Sequence, residues 1–394
     1  MADFLMPALG ADMEKGTLVQ WRVAPGSRVK SGDLVAVVET QKGAIDVEIF
    51  LDGVIEGLVP VGTEMLVGGV LARVREAAGA SPRPAPPAAA DGPAVAAVPM
   101  AAPGPAAPAA PVAAARTRVT PAARRRAAEL GLDPGGLQGT GPEGGVTVGD
   151  VEAAAARQGA PMPTGTALPV RGFDTAQMRA AIAASVSRSK REIPHYYLLQ
   201  AVDFGACQDW LAHYNAEQPP AQRLLAAVLL LKAAARALAA VPQLNGFYQD
   251  GAVRLAPEIH VGWAVALRGG GLIAPAIHEA DRKSLPDLMV ALRDLVQRAR
   301  AGGLRSSELA DPTVTVTNLG DRGADSVQGV VVPPQLALVG FGRVALRPWV
   351  AGDEVVARPV VQVSLAADHR ASDGHVGSLL LAAIDDALQH PEQL

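Results

Sequence analysis

The chain has 394 residues, enough for two or three domains, and its formal net charge of −4 gives no sign of nucleic acid or a membrane surface as the main partner. A single cysteine, Cys207, excludes a disulfide framework and suits a reducing compartment. No run of about 18 apolar residues lacks charge and proline, so no membrane span is expected. The domain pattern starts within a few residues of Met1, leaving no room for a signal or transit peptide.

Residues 1–76 read as an all-β domain. Apolar residues alternate, with Leu18, Gln20 and Arg22 set against Val19, Trp21 and Val23, and glycines recur where turns are needed. The segment repeats itself at a shift of 36 positions: Gly26 falls on Gly62, Gly32 on Gly68, Leu34 on Val70, Ala36 on Ala72 and Val38 on Val74. Two related half-units therefore flank Thr40-Gln41-Lys42-Gly43, as in a carrier domain that holds a modifiable lysine at a hairpin tip. A plain surface lysine in a β-turn is the alternative.

Residues 77–116 change character: 19 of the 40 are Ala, 10 are Pro and three are charged. Such a segment cannot bury a core, and stretched as polyproline II it would reach ~120 Å. Beside a carrier lysine it reads as a tether. Residues 117–157 form a small helical island, with Pro121 at a helix start, Gly131 as a stop signal, and a second short helix beginning near Gly149. No Phe, Trp or Tyr occurs between Phe50 and Phe173, so its core is minimal and docking is the expected role. A second linker, 158–169, follows.

Residues 170–394 read as an α/β domain. Met178, Ile182 and Val186 fall at helical spacing. A strand is expected over 195–204, a buried helix over 223–240, strands over 259–267 and 271–277 around a glycine turn, and a helix over 284–301. Strands follow over 313–318, 336–342 and 360–366. A last helix carries Val376, Leu380, Ile384 and Leu388 on one face. Between the last strand and that helix stands Asp368-His369-Arg370-Ala371-Ser372-Asp373-Gly374. An imidazole titrates near neutral pH, which suits His369 to general-base work. Asp373, four residues on, is placed to hold a neighbouring group or stabilise local charge. A lone histidine more often caps a helix or joins an ion pair; the surrounding string is the more specific signal. Cys207, at an expected helix start, reads as structural, and no metal site is expected.

At these motifs the chain resembles the dihydrolipoamide acyltransferase component of 2-oxo acid dehydrogenase complexes, over nearly its whole length. Glu39-Thr40-Gln41-Lys42-Gly43-Ala44 looks like the lipoylation site, where the family more often has Asp-Lys-Ala; a biotin carrier would place Met on both sides of the lysine. Thr120-Pro121-Ala122-Ala123-Arg124-Arg125 and Gln138-Gly139-Thr140-Gly141-Pro142 are similar to the peripheral-subunit-binding module. The resemblance gives Arg124 and Arg125 the role of pairing with acidic groups on a partner enzyme. An arginine common after the glycine-rich loop is Gly145 here. Ile193-Pro194-His195-Tyr196-Tyr197-Leu198 and Thr313-Val314-Thr315-Val316-Thr317-Asn318-Leu319-Gly320 match the catalytic domain. Thr317 stands where the family usually has the serine that donates to the oxyanion, 52 residues before His369.

The resemblance implies a multidomain protein. Its parts are an all-β lipoyl domain (flattened barrel or sandwich), a small all-α subunit-binding domain and an α/β catalytic domain resembling chloramphenicol acetyltransferase. It implies lipoate on Lys42 and CoA as acceptor, with His369, Asp373 and Thr317 as catalytic residues. The implied partners are a thiamine-dependent decarboxylase and dihydrolipoamide dehydrogenase, around trimers assembled into a larger core. The Ile193–Leu198 segment favours acetyl transfer in a pyruvate-type complex. Acetoin, branched-chain and 2-oxoglutarate complexes are alternatives within the class, and a non-catalytic lipoyl-bearing scaffold is the alternative outside it. A bacterial cytoplasm is the expected location.

Overall fold

The computed structural model describes residues 1–9, 13, 15–40, 43–76, 123, 146–151, 175–267 and 270–394. Lys42, Arg124, Arg125 and the two expected linkers lie outside the described residues. The chain forms two compact units, Met1–Arg83 with Ala167–Leu394, and Pro84–Thr166.

The N-terminal part of the first unit is all β. Its strands are β1 (Ala2–Leu5), β2 (Lys15–Trp21), β3 (Arg28–Val29), β4 (Asp33–Thr40), β5 (Gly43–Ile49), β6 (Gly53–Glu56), β7 (Glu64–Leu66) and β8 (Val70–Glu76). One sheet has the order β1-β8-β6-β3; in the other, β5-β4-β2-β7 run side by side. The sequence repeat explains this pairing. A shift of 36 carries β2 onto β6, β3 onto β7 and β4 onto β8, and matching β1 with β5 turns one strand order into the other. Equivalent glycines share a left-handed backbone, with φ of 86° at Gly26 against 90° at Gly62, and 94° at Gly32 against 83° at Gly68. Leu18, Val38, Ile45, Val47, Ile55, Leu71 and Val74 fill the space between the sheets.

The expected alternation along β2 is corrected by the structure. A bulge shifts the register between Leu18 and Gln20, so Leu18 and Trp21 both join the core and Val19 is buried as well. Trp21 Nε1 then donates to the Val59 carbonyl at 2.8 Å.

The C-terminal part begins with α1 (Thr175–Glu192), β9 (His195–Asp203), α2 (Gly205–Ala216) and α3 (Ala226–Ala240). Short strands follow: β10 (Gly246–Gln249), β11 (Ala252–Leu255), β12 (Val261–Trp263), β13 (Val265–Ala266), β14 (Leu272–Ile273) and β15 (Ala276–Ile277). Next come α4 (Leu285–Ala301), β16 (Leu304–Arg305), α5 (Ser306–Ala310), β17 (Val314–Asn318), β18 (Ala337–Phe341), β19 (Ala345–Ala351), β20 (Glu354–Asp368) and α6 (Gly374–Gln389). The main sheet has the order β15-β12-β17-β18-β20-β19, with β9 on the other side of β20. β12, β17 and β18 are parallel, and β20 runs against β18, β19 and β9. β16 adds in parallel to the free edge of β5.

The helix expected over 284–301 is α4. Ser284 is its N-cap, accepting from Asp287 N, and Gly302 ends it at φ 84°. In α6, Leu380, Ile384 and Leu388 are fully buried. Cys207 lies on α2, fully buried, with its thiol near the Leu388 carbonyl at 3.1 Å; burial pushes that thiol up to about 12.

In the second unit, Ala123, Val146 and Val151 pack together. A helix starts at residue 148, where Thr147 N donates to Asp150 Oδ2 at 2.8 Å, one half of a capping box.

Ile384→Ala removes a side chain from the middle of the buried α6 face. It should cost about 2–5 kcal/mol, read as a lower urea midpoint for the α/β part of the full chain.

Candidate active site

β20 delivers the histidine string to the edge of the core. Its last residue, Asp368, is wholly buried. The Asp368 amide donates to Leu336 O at 2.9 Å, and its carbonyl accepts from Ala371 N and Ser372 N, both at 3.1 Å. The Asp368 carboxylate accepts from Arg370 N at 2.9 Å, Arg370 Nε at 2.9 and 3.1 Å, and Arg370 Nη2 at 2.6 Å. Hydrogen bonding to that carboxylate raises the Arg370 guanidinium above its ordinary value. Its central carbon lies 3.9 Å from the centroid of the Tyr248 ring.

His369 is exposed at the crest of this turn. Its amide donates to Pro194 O at 2.9 Å, and its ring meets the Tyr196 ring edge-on, with centroids 5.2 Å apart. Tyr196 and Ser372 share a hydrogen bond of 3.0 Å between their hydroxyls. One backbone bond, one ring and a fixed turn thus orient an imidazole that remains open to solvent.

Asp373 is the N-cap of α6. Its Oδ1 accepts from His375 N at 3.0 Å and Val376 N at 3.1 Å. The Val376 amide, then the His375 amide and the His375 and His369 side chains, hold this carboxyl below its usual range. Asp373 therefore fixes the start of the helix that follows the histidine.

Thr317 is half-buried near the end of β17. It pairs with Gly340 on β18, which pairs with Ser364 on β20. His369 lies five residues beyond Ser364. Two strand spacings of ~4.8 Å and five residues of ~3.3 Å put Thr317 roughly 19 Å from His369 within one chain. The structure brings His369 and Asp373 together and holds Thr317 apart. Lys42, Arg124 and Arg125 lie outside the described residues.

Several residues shape the site without having been assigned a role from sequence: Asp368, Arg370, Tyr196, Ser372 and Tyr248. The Asp-His-Arg string held the signal for the first two; the others require tertiary contact. His195 belongs with them. Its Nε2 accepts from Val331 N at 3.1 Å, so Nδ1 carries the proton and donates to Ile193 O at 2.9 Å. Ser189 Oγ donates to Val331 O at 2.6 Å, which clamps that residue from both sides.

Comparison with known proteins agrees along the chain. Residues 170–394 match the family model described as 2-oxoacid dehydrogenases acyltransferase (catalytic domain). Residues 117–152 match an e3 binding domain, and residues 2–74 match the model described as biotin-requiring enzyme. The chain is 34% identical to the dihydrolipoyllysine-residue acetyltransferase component of the pyruvate dehydrogenase complex of Rhizobium meliloti, covering 98% of both chains. It is 33% identical to the corresponding component of the acetoin cleaving system of Bacillus subtilis, over 99% of this chain and 98% of that one. The crystal structure of a probable dihydrolipoamide acetyltransferase from Listeria monocytogenes superposes with a TM-score of 0.50 at 29% identity, covering 56% of this chain and 93% of that one.

Burial holds His195 below its ordinary value of about 6.5. The unfolded chain therefore binds the proton first as pH falls. The stability from this clamp is complete above about pH 6.5 and is lost as pH drops through the folded value. Urea midpoints between pH 7.5 and 5.5 should decline for the parent chain and decline less for His195→Gln.

Proposed function

The chain belongs to the 2-oxoacid dehydrogenase acyltransferase family, and from that premise we propose that it passes an acyl group, acetyl first, from a dihydrolipoyl arm on Lys42 to CoA. The observation that carries this reading is His369, held exposed on a turn that Asp368 and Arg370 make rigid.

The residues present fit the lipoyl group. β4 and β5 are paired out to Thr40 and Gly43, so only Gln41 and Lys42 separate them in the chain, as a carrier hairpin requires. Bound as an amide on Lys42, lipoate supplies a thiol that carries the acyl group on an uncharged arm. A free thiol has a pKa near 8.5, so only a few per cent of CoA is thiolate at pH 7. A ring nitrogen of His369 takes that proton as the sulfur attacks, and returns it to the departing thiolate. The Thr317 hydroxyl donates to the carbonyl oxygen as it gains charge, a contribution of about 3–4 kcal/mol. Its methyl group restricts χ1 and helps fix that hydroxyl. Asp373 positions the turn through the first amides of α6.

A separation of roughly 19 Å forbids Thr317 and His369 of one chain from meeting on one substrate. This supports a site built between copies, as the family resemblance implies, with Thr317 of one chain facing His369 of another. A face for that assembly is present: Leu346, Val350 and Val355 of the β19–β20 hairpin are 73, 69 and 73% exposed. We take the assembly to be a trimer within a larger core.

The division into a lipoyl domain (1–76), tether (77–116), subunit-binding domain (117–157), second linker (158–169) and catalytic domain (170–394) belongs to the same proposal. A thiamine-dependent decarboxylase loads the arm. Dihydrolipoamide dehydrogenase docks on the subunit-binding domain through Arg124 and Arg125. Among the described residues no helix is long and apolar enough to cross a membrane, and a buried lone thiol suits a bacterial cytoplasm. The similarity to the acetoin-cleaving component favours that complex as the second reading, with the same acetyl transfer.

His369→Ala should lower transfer to CoA by about 10²–10⁴ while the decarboxylase still acylates Lys42. Thr317→Val should lower it by about 10²–10³. Co-expressing the two variants should restore about one quarter of the sites, since a random mixture pairs an intact histidine with an intact threonine that often. No loss in His369→Ala would reject the mechanism; no rescue would reject the shared site.

A further inference from the structure

Two edges of the N-terminal β domain are equivalent by its internal repeat, β1 and β5. They are used differently. Among the described residues β1 pairs only with β8, whereas β5, the strand that directly follows Lys42, takes β16 as a parallel partner, with Ile45 opposite Leu304 and Asp46 opposite Arg305. The contact continues into α5. The Glu48 amide donates to Ser306 Oγ at 3.0 Å. The Ser307 amide donates to Glu48 Oε2 at 3.2 Å, and the Ser307 hydroxyl donates to the same oxygen. Arg305 Nη1 lies 3.9 Å from Glu48 Oε1. Glu48 is only 7% exposed.

The platform is braced from behind. Glu308 accepts from the Arg305 amide at 2.8 Å and from Arg298 Nη1 at 2.6 Å, tying α5 to the last turn of α4. Leu309 packs against both hydrophobic cores.

We propose that residues 304–309 form a docking station for the chain's own carrier domain, read through the β5 edge and the Glu48 carboxylate. Neither Gln41 nor Lys42 is needed for these contacts, so recognition is independent of whether the lysine carries its group. The β16 addition is two residues long, which suits a carrier that must also leave for other enzymes. Tethering by residues 77–116 raises the local concentration to the order of millimolar, so a weak station suffices. Glu48 is the specificity determinant: an acidic group at this place meets backbone and hydroxyl donors beside Arg305, and a basic one is repelled.

The role in delivering the arm rests on the acyltransferase reading; the docking itself does not, and its test needs neither lipoate nor CoA. Cysteines placed at the register pair Asp46→Cys and Arg305→Cys in the full chain should cross-link under mild oxidation. Cys207 is buried and does not compete. The rate should exceed that of Glu56→Cys with Arg305→Cys by about tenfold or more, because Glu56 lies in the opposite sheet. Adding Glu48→Lys should slow the register pair about tenfold, as the loss of a charged hydrogen-bond set would. A product of single-chain or of double mass supports the station equally. Equal rates for the two pairs, or indifference to Glu48→Lys, would overturn it. Amide exchange on the chain without added cysteines provides the second reading. Protection of the Glu48 and Ser307 amides, lost in Glu48→Lys, is expected; free exchange at both in the unaltered chain would overturn the proposal.

Discussion

The hydrogen-bond register of one long strand governs this molecule. β20 spans Glu354–Asp368 and is shared along its length by β19, β18 and β9. That register, taken with ordinary strand spacings, sets Thr317 roughly 19 Å from His369, which follows the last residue of the strand. A one-residue slip would replace Val361, Val363 and Leu365 in the main core by Gln362, Ser364 and Ala366 from the other face, so the core holds the register. The same strand carries its first half past the core and exposes the apolar hairpin face. The distance between the two groups and the surface available for a second copy thus have a common structural origin.

Around His369 the protein spends polar interactions on shape. A buried carboxylate grips the arginine two residues later, that arginine covers Tyr248, and Tyr196 reaches Ser372. Each charged hydrogen bond of this kind contributes about 1.5–3 kcal/mol, and together they over-determine a seven-residue turn. The turn that carries the imidazole is thereby fixed in advance, as the proposed proton transfer requires. Asp373 contributes at one remove, through the helix it caps.

Much of this was legible in the amino-acid order. The 36-residue repeat implied two related half-units, since equivalent glycines demand equivalent turns; that each sheet draws strands from both halves appears only in the structure. Ser284 and Gly302 marked the ends of α4 because capping and left-handed stops are local chemistry. What lay hidden was non-local. The bulge in β2 depends on how β4 packs against it, and β10, β11 and β19 carry too few residues or too exposed a face for periodicity to report. The Asp368–Arg370 grip was implicit in the histidine string, yet its role appears only once burial is known. The distance between Thr317 and His369 needs the order of three strands, and the Glu48 contact joins residues 258 positions apart. Neither has a signature along the chain.

The most direct measurement follows acyl transfer and sedimentation in the same samples as lipoylated full-length protein is diluted until copies separate. A site shared between copies predicts that turnover per chain falls to near zero in step with the appearance of single chains. Single chains that keep full turnover would contradict the account, because their Thr317 and His369 are too far apart to act on one carbonyl.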